Sequence, residues 1–294
     1  MARATTKSKE VAKRKSTEVA DWRAGMAESA KAAVQSEETA ASGGGRFFSL
    51  RAGQLSFDDA ALPGNQMACI ILDSIFETTY YENDFDPESP SPPTAFAFGR
   101  DQATMRWDAE HSDPEFAGKL CSESEVCQWG SAEKGKGKAA KEIRRLAIIP
   151  GGTYKPLGKG GGFELDLFDE EEPFRTADLA FMKVPVMSVK GFATYLKQVA
   201  EQFDRPLWGV YTRVYLEPDP KSQFRVKFEL LEVMEDEDIL QVLFMRHKEA
   251  EKTIDFPYLP RSDEDEPKQN TKAKASSGKL ARKGGANAKS ARRR

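Results

Sequence analysis

The sequence predicts a mainly β (α+β) fold, a small, partly open β-barrel carrying one or two helices between disordered tails, on three observations. Between about residues 46 and 260 most apolar runs are short, β-branched or aromatic, and parted by Gly- or Pro-rich turns. Two stretches in that span have helical periodicity. Both ends lack the large apolar residues that would offset the entropy of ordering.

The elements follow in chain order. Residues 1–45 are rich in Ala, Ser, Thr, Lys and Glu, hold Trp22 as almost their only large apolar residue, and end at "SGGGR", a linker composition. Within them "STEVADWRAGMAESAKAAVQ", with Ser16 and Thr17 as caps, has enough helix propensity for a transient or partner-induced helix. "ACIILDSIFETTYY" (68–81) and "TAFAFGRD" (94–101) read as strands around the turn "DPESPSPP". "RRLAIIP" (144–150), "FELDLF" (163–168) and "LAFMKVPV" (179–186) continue the pattern.

Ser188 is placed to cap a helix over "VKGFATYLKQVAEQF", where Phe192, Leu196, Val199 and Phe203 recur at helical spacing before Pro206. "PLWGVYTRVYLE" (206–217) and "QFRVKFELLEV" (223–233) flank "PDPKS" as a hairpin, with Val210, Thr212, Val214 and Leu216 on one face and Tyr211, Arg213 and Tyr215 on the other. "DEDILQVLFMRHKEAEKTI" (236–254) opens with acids and closes with cations, as a helix dipole prefers. Residues 261–294 combine the acidic "SDEDEP" (262–267) with a disordered basic tail. Of small open barrels with added helices, the OB-fold is the commonest that binds nucleic acid, and from periodicity a different α+β sheet fits nearly as well.

The net charge of −3 hides segregation, because residues 268–294 carry +10 and leave −13 for the rest. Acid gathers in "FDEEEPF" (168–174), "EVMEDED" (232–238) and "SDEDEP"; base gathers in residues 134–159 and at the C-terminus. Such blocks offer cations to nucleic acid and acids to a basic partner. No apolar run is long enough to span a bilayer, and the N-terminus lacks the hydrophobic core of a secretory signal. Three cysteines make no disulfide framework. A soluble, intracellular protein is expected.

The most pointed stretch is "GSAEKGKGKAAKEIRR" (130–145). Gly130 and Gly135-Lys136 have phosphate-loop spacing, but Gly137 stands where a hydroxyl should meet Mg²⁺, and the preceding "SESEVCQW" is no apolar strand. An NTPase is therefore excluded. Lys134, Lys136, Lys138, Lys141, Arg144 and Arg145 remain, diluted by Glu133 and Glu142 and spaced by glycine, which suits a repeating polyanion.

His111, Cys121 and Cys127 form the one His/Cys grouping, but C-x₅-C without a second pair is poor zinc spacing, and Cys69 reads as core. No metal or other cofactor is expected. Nor is an enzyme: His247 reads as a surface residue between Arg246 and Lys248, the acidic runs read as solvated faces, and no hydrolase, metalloprotease or dinucleotide motif occurs.

Single-strand binding needs cations that track a backbone and aromatic faces that stack on bases. Tyr80, Tyr81, Arg100 and Trp107 around the first strands, Trp129 at the basic loop, and Tyr211, Arg213, Lys221 and Arg225 on the hairpin supply both. Phe192, Phe203 and Phe228 are assigned to the core.

These residues resemble phage-encoded single-stranded-DNA-binding proteins of the OB-fold type. The likeness runs through "CIILDSIFETTYYENDFDPESPSPP", "CQWGSAEKGKGKAAKEIRRLAIIP" and "VPVMSVKGFATYLKQVAEQFDRPLWGVYTRVYLEPDPKSQFRVKFE", covering roughly residues 46–256. The second segment is the most specific, with its glycine-and-serine start, G-K-G-K core and arginine pair before a strand. Relatives often carry another cysteine where this chain has Ala139 and Ala140, which weakens zinc here further.

The resemblance implies a DNA replication or recombination accessory that coats single-stranded DNA in the host cytoplasm without chemistry of its own. It also implies an acidic segment that contacts other replication proteins and competes with DNA; "SDEDEP" takes that place, although a basic tail follows it. A DNA-associated phage structural or packaging protein is the alternative, and a metal-dependent nuclease has the least support.

Overall fold

Short apolar pieces lead into one long strand that organises everything else. β1 (Arg46–Phe47), β2 (Ser56–Phe57) and β3 (Ala60–Ala61) precede β4 (Gln66–Tyr80), whose residues are almost all buried. Successive side chains on a strand point to opposite faces, so a continuous apolar run marks a strand covered on both sides. Met67, Cys69 and Ile71 enter one core and Ile70, Leu72 and Ile75 the other. The computed structural model describes residues 46–58, 60–83, 91–133, 135–158 and 161–258. The expected tails, 1–45 and 261–294, lie outside the described residues.

β5 (Ala95–Gly99), β6 (Lys141–Pro150), β7 (Gly152–Pro156), β8 (Phe163–Leu167), β9 (Ala180–Val184), β10 (Val210–Asp219) and β11 (Gln223–Val233) follow, and every expected strand is present within a few residues. The main sheet runs β1-β9-β6-β4-β10-β11, with β5 beside the second half of β4. It is mixed, since β1 pairs parallel to β9 and the other pairs are antiparallel. It does not close into a barrel. Helices cover both faces, so neither needs closure to leave water.

Among the described residues three α-helices complete the fold: α1 (Glu171–Thr176), α2 (Val186–Phe203) and α3 (Glu237–Thr253). Phe192, Tyr195 and Val199 of α2 pack on one sheet face; Ile239, Val242, Leu243 and Ala250 of α3, with Phe174 of α1, pack on the other. α1 was not expected, because its acids read as a solvated run; they occupy a first helical turn, where the dipole favours them. Ser188 is not the cap of α2. The helix begins earlier, after Pro185, and the buried Ser188 hydroxyl accepts the Val226 N–H at 2.9 Å, tying helix to sheet. Phe203 is half-exposed rather than core.

Asp236 caps α3, its Oδ1 accepting from the Asp238 and Ile239 N–H groups at 2.9 and 3.0 Å. Asp236→Ala is expected to cost about 1 kcal/mol, read as a lower urea midpoint. An unchanged midpoint would mean that packing alone holds the helix start.

Residues 100–140 form an irregular lobe against the far end of β4 and β5. Its core is Ala95, Ala97, Met105, Trp107, Cys121, Cys127 and Ala140, with Phe76 and Tyr80 partly buried against it. No helix among the described residues is long and apolar enough to cross a membrane.

Candidate nucleic-acid interface

The basic stretch leaves the lobe at Trp129 and re-enters the sheet at Lys141. Gly130 and Gly135 have φ of 92° and 94°, a region that L side chains rarely adopt, so these glycines are demanded by the path of the chain. The neck is closed by Gly130 N–H and Ala132 N–H donating to the Gly137 carbonyl at 2.9 and 3.2 Å. Ser131 Oγ pins it further, accepting from Ala139 N–H at 2.9 Å and donating towards Gln128 O at 2.7 Å. The loop is thus a pinned projection, not a free coil. Lys134 lies outside the described residues; Lys136 stands exposed on the projection.

Trp129 is 80% exposed at the root of this projection. Lone exposed apolar residues are ordinary. What sets Trp129 apart is its company. The Lys138 ammonium lies 5.8 Å from its ring centroid, held there by Glu142 at 2.6 Å. A cleft of about 550 Å³ opens between the end of β4 and the loop that follows Trp129, lined by Tyr80, Tyr81, Ser131, Ala132 and Lys141, with the carboxylates Glu82 and Glu133 also in its wall. Tyr81 is 41% exposed. Trp129, Tyr81, Lys136 and Lys141 therefore offer open rings and cations in one neighbourhood.

Several expected DNA-facing residues are withdrawn by burial. Arg145 is fully buried, paired to Glu77 at 2.6 Å and donating to the carbonyls of Ile254 and Phe256 at 3.1 and 3.0 Å. Trp107 is buried in the lobe, its indole N–H donating to Ser124 Oγ at 2.7 Å. Tyr211 is buried under α1, its hydroxyl bonded to the Phe168 carbonyl. None of the three reaches a strand of DNA. Arg144 is half-buried with its guanidinium 3.1 Å from the Phe76 ring centroid, and desolvation pulls it down to about 10, still charged at neutral pH. Arg100 is committed to Asp73, with two hydrogen bonds of 2.9 and 2.6 Å.

The hairpin is a ladder of internal pairs. Arg213 meets Glu229 at 3.0 Å and Gln66 at 2.8 Å; Lys227 meets Glu217 at 3.0 Å; Arg225 meets Asp219 at 2.6 Å. Cations already opposite carboxylates release few counterions when a phosphate arrives. Lys221 sits exposed at the turn. The expected surface therefore splits, and the loop end carries most of its unpaired charge among the described residues.

Sequence reasoning missed the part played by Glu77, Lys183 and Tyr258. Glu77 is fully buried, with the Tyr258 hydroxyl on Oε1 and Lys183 Nζ at 3.4 Å. Desolvation holds the Lys183 ammonium below its ordinary range and the Tyr258 phenol well above it. Glu77 follows Ile75 and Phe76 directly on a core strand, and that was its available signal. His247 is also no simple surface residue: its Nδ1 is 2.8 Å from the Leu72 carbonyl and its ring stacks on Trp208 at 6.0 Å.

Cys121 and Cys127 are buried free thiols, pushed up to about 12 and about 11 by desolvation. His111 turns to Asp108, at 3.1 Å. Among the described residues no group of three or more His, Cys, Asp or Glu side chains is placed to hold a metal ion. Comparison with protein-family models, with curated proteins and with solved structures gives no match to this chain.

Proposed function

We propose that this protein binds single-stranded DNA with little regard to sequence, serving phage DNA replication and recombination in the host cytoplasm. The observation that carries the reading is Trp129, open to solvent at the root of a cationic projection with the Lys138 ammonium 5.8 Å from its ring centroid. Stacking rings and backbone-tracking cations are the two ingredients of sequence-tolerant strand binding. The protein contributes surface rather than chemistry. An OB-type relation belongs to the same proposal, supported by the long β4, whose register shifts between Ile71 and Asp73 and whose two halves pair with different strands, β10 and β5. The acidic stretch 262–267 is the proposed contact for other replication proteins.

The test is an anisotropy titration of labelled single-stranded and duplex DNA of equal length at rising salt. Preference for the single strand, with affinity falling steeply as salt rises, is the expected result. Equal affinity for duplex would move the reading to a packaging protein, and cleavage of the DNA with Mg²⁺ to a nuclease.

A further inference from the structure

α2 carries two apolar stripes, and the fold buries one while leaving most of the other exposed. Phe192, Tyr195 and Val199 face the sheet and are buried. Val186, Val189, Ala193, Leu196, Ala200 and Phe203 form a second stripe at alternating three- and four-residue spacing, the repeat of a helix–helix seam, of which only Val189 is half-buried against the core. Val186 is 48% exposed, Leu196 39% and Phe203 38%, and Ala193 and Ala200 are exposed with them. A surface helix of a lone domain needs a single stripe towards its core. The second stripe has the pattern of a surface made for another helix.

We infer that this stripe is a self-association surface on which a second copy of the chain lays its own α2, antiparallel. Reversing the stripe about the point midway between Ala193 and Leu196 sets Phe203 on Val186, Ala200 on Val189 and Leu196 on Ala193. At every rung a larger residue meets a smaller one, which is how facing positions interdigitate at interior density. A parallel pairing instead sets Phe203 on Phe203 and Ala193 on Ala193, a crowd and a gap.

Charge agrees with the antiparallel choice. At 3.6 residues per turn, exposed Lys190 and Glu201 lie on one flank of the stripe. The same reversal brings Lys190 of one copy within two residues of facing Glu201 of the other, and two-fold symmetry makes that contact twice. Glu201 also holds Lys197 of its own chain at 3.5 Å, so the flank becomes a small network. Because α2 is already formed on the sheet, association does not bear the cost of nucleating a helix. This surface lies on a different element from the loop and cleft, and its occupancy requires no DNA.

Sedimentation of the nuclease-treated full chain over about a hundredfold range of concentration tests the proposal. The expected result is a mass that climbs towards twice the 32.7 kDa of one chain. Leu196→Glu buries an unpaired charge in the seam and is expected to weaken association at least about a hundredfold. Ala193→Glu, at an exposed site off the buried stripe, repeats the test should Leu196→Glu fail to fold. Lys190→Glu is expected to weaken the dimer, and adding Glu201→Lys to the same chain to restore it. A monomer throughout, a dimer indifferent to both glutamate substitutions, or a charge swap that restores nothing would overturn the proposal.

Discussion

Replacing Arg145 by alanine is expected to lower stability by about 3–5 kcal/mol, the cost of leaving one partner of a buried ion pair without the other. Four aromatic rings surround this guanidinium: Phe98 at 4.1 Å, Phe256 at 4.4 Å, Tyr258 at 5.5 Å and Phe47 at 5.7 Å. Its hydrogen bonds fasten the chain after α3 to the sheet through the carbonyls of Ile254 and Phe256. Alanine would leave the buried Glu77 carboxylate with only the Tyr258 hydroxyl and the Lys183 ammonium at 3.4 Å, and free the two carbonyls. Methionine at both Arg145 and Glu77 removes both charges and is expected to recover part of the loss, not all of it, because the two carbonyls still lack donors and the half-buried Lys183 ammonium loses its carboxylate. Urea melts of the two variants make the comparison, and a loss below about 1 kcal/mol for Arg145→Ala would contradict the clamp. Salt dependence supplies a second readout: a residue buried this way leaves the slope of DNA affinity unchanged in whatever fraction stays folded.

The arginine pair also shows what a sequence can and cannot disclose. Arg144 and Arg145 sit on β6, and neighbours on a strand face opposite ways, so at most one of them could line any groove. That much was legible. Which one was lost to the interior depended on Ile254 and Phe256, more than a hundred residues away, and no local pattern announces such a partner. Tyr211 and Arg213 share a face of β10, yet α1 and Phe168 cover the first while the second remains beyond that cover. The strands and both long helices were readable because alternation and 3.6-residue periodicity are local consequences of burial. Trp107 was not, because its lobe has no period and its cover comes from Phe116, Ser124 and the two cysteines.

The split of the cations follows from the same geometry. On the β10–β11 hairpin, pairing places Arg213 opposite Glu229 and brings Lys227 and Arg225 to Glu217 and Asp219, so each of these three cations is answered within the ladder. Exposed pairs of this kind add little stability. They do make the hairpin nearly neutral at short range, which a sequence count of Arg and Lys overlooks. On the loop only Lys138 is so answered, by Glu142, and Lys136 and Lys141 have no carboxylate within ion-pair distance among the described residues. The glycines that space these lysines are there for the turn at Gly130 and Gly135 as much as for flexibility.

Trp129→Ala is expected to weaken single-strand binding by about 1–3 kcal/mol, the worth of one stacked base, while leaving the salt dependence nearly unchanged. The indole is 80% exposed, so its removal leaves no cavity, and the melting point of the free protein should not move. The complementary variant replaces Lys134, Lys136 and Lys141 by alanine. Each phosphate that the protein no longer neutralises takes ~0.7 from the slope of log affinity against log salt, so the triple change is expected to flatten the slope by about two units. Lys138 is left in place there because Glu142 already neutralises it at 2.6 Å. Stacking and counterion release are thereby separated: one variant loses affinity at every salt concentration alike, the other loses it mainly at low salt. Should both variants bind like the parent, the projection would be a solvated loop and no part of the interface. Should only the lysine variant weaken, the strand would pass over the loop without stacking on Trp129, and the open ring to examine next would be Tyr81 in the adjoining cleft.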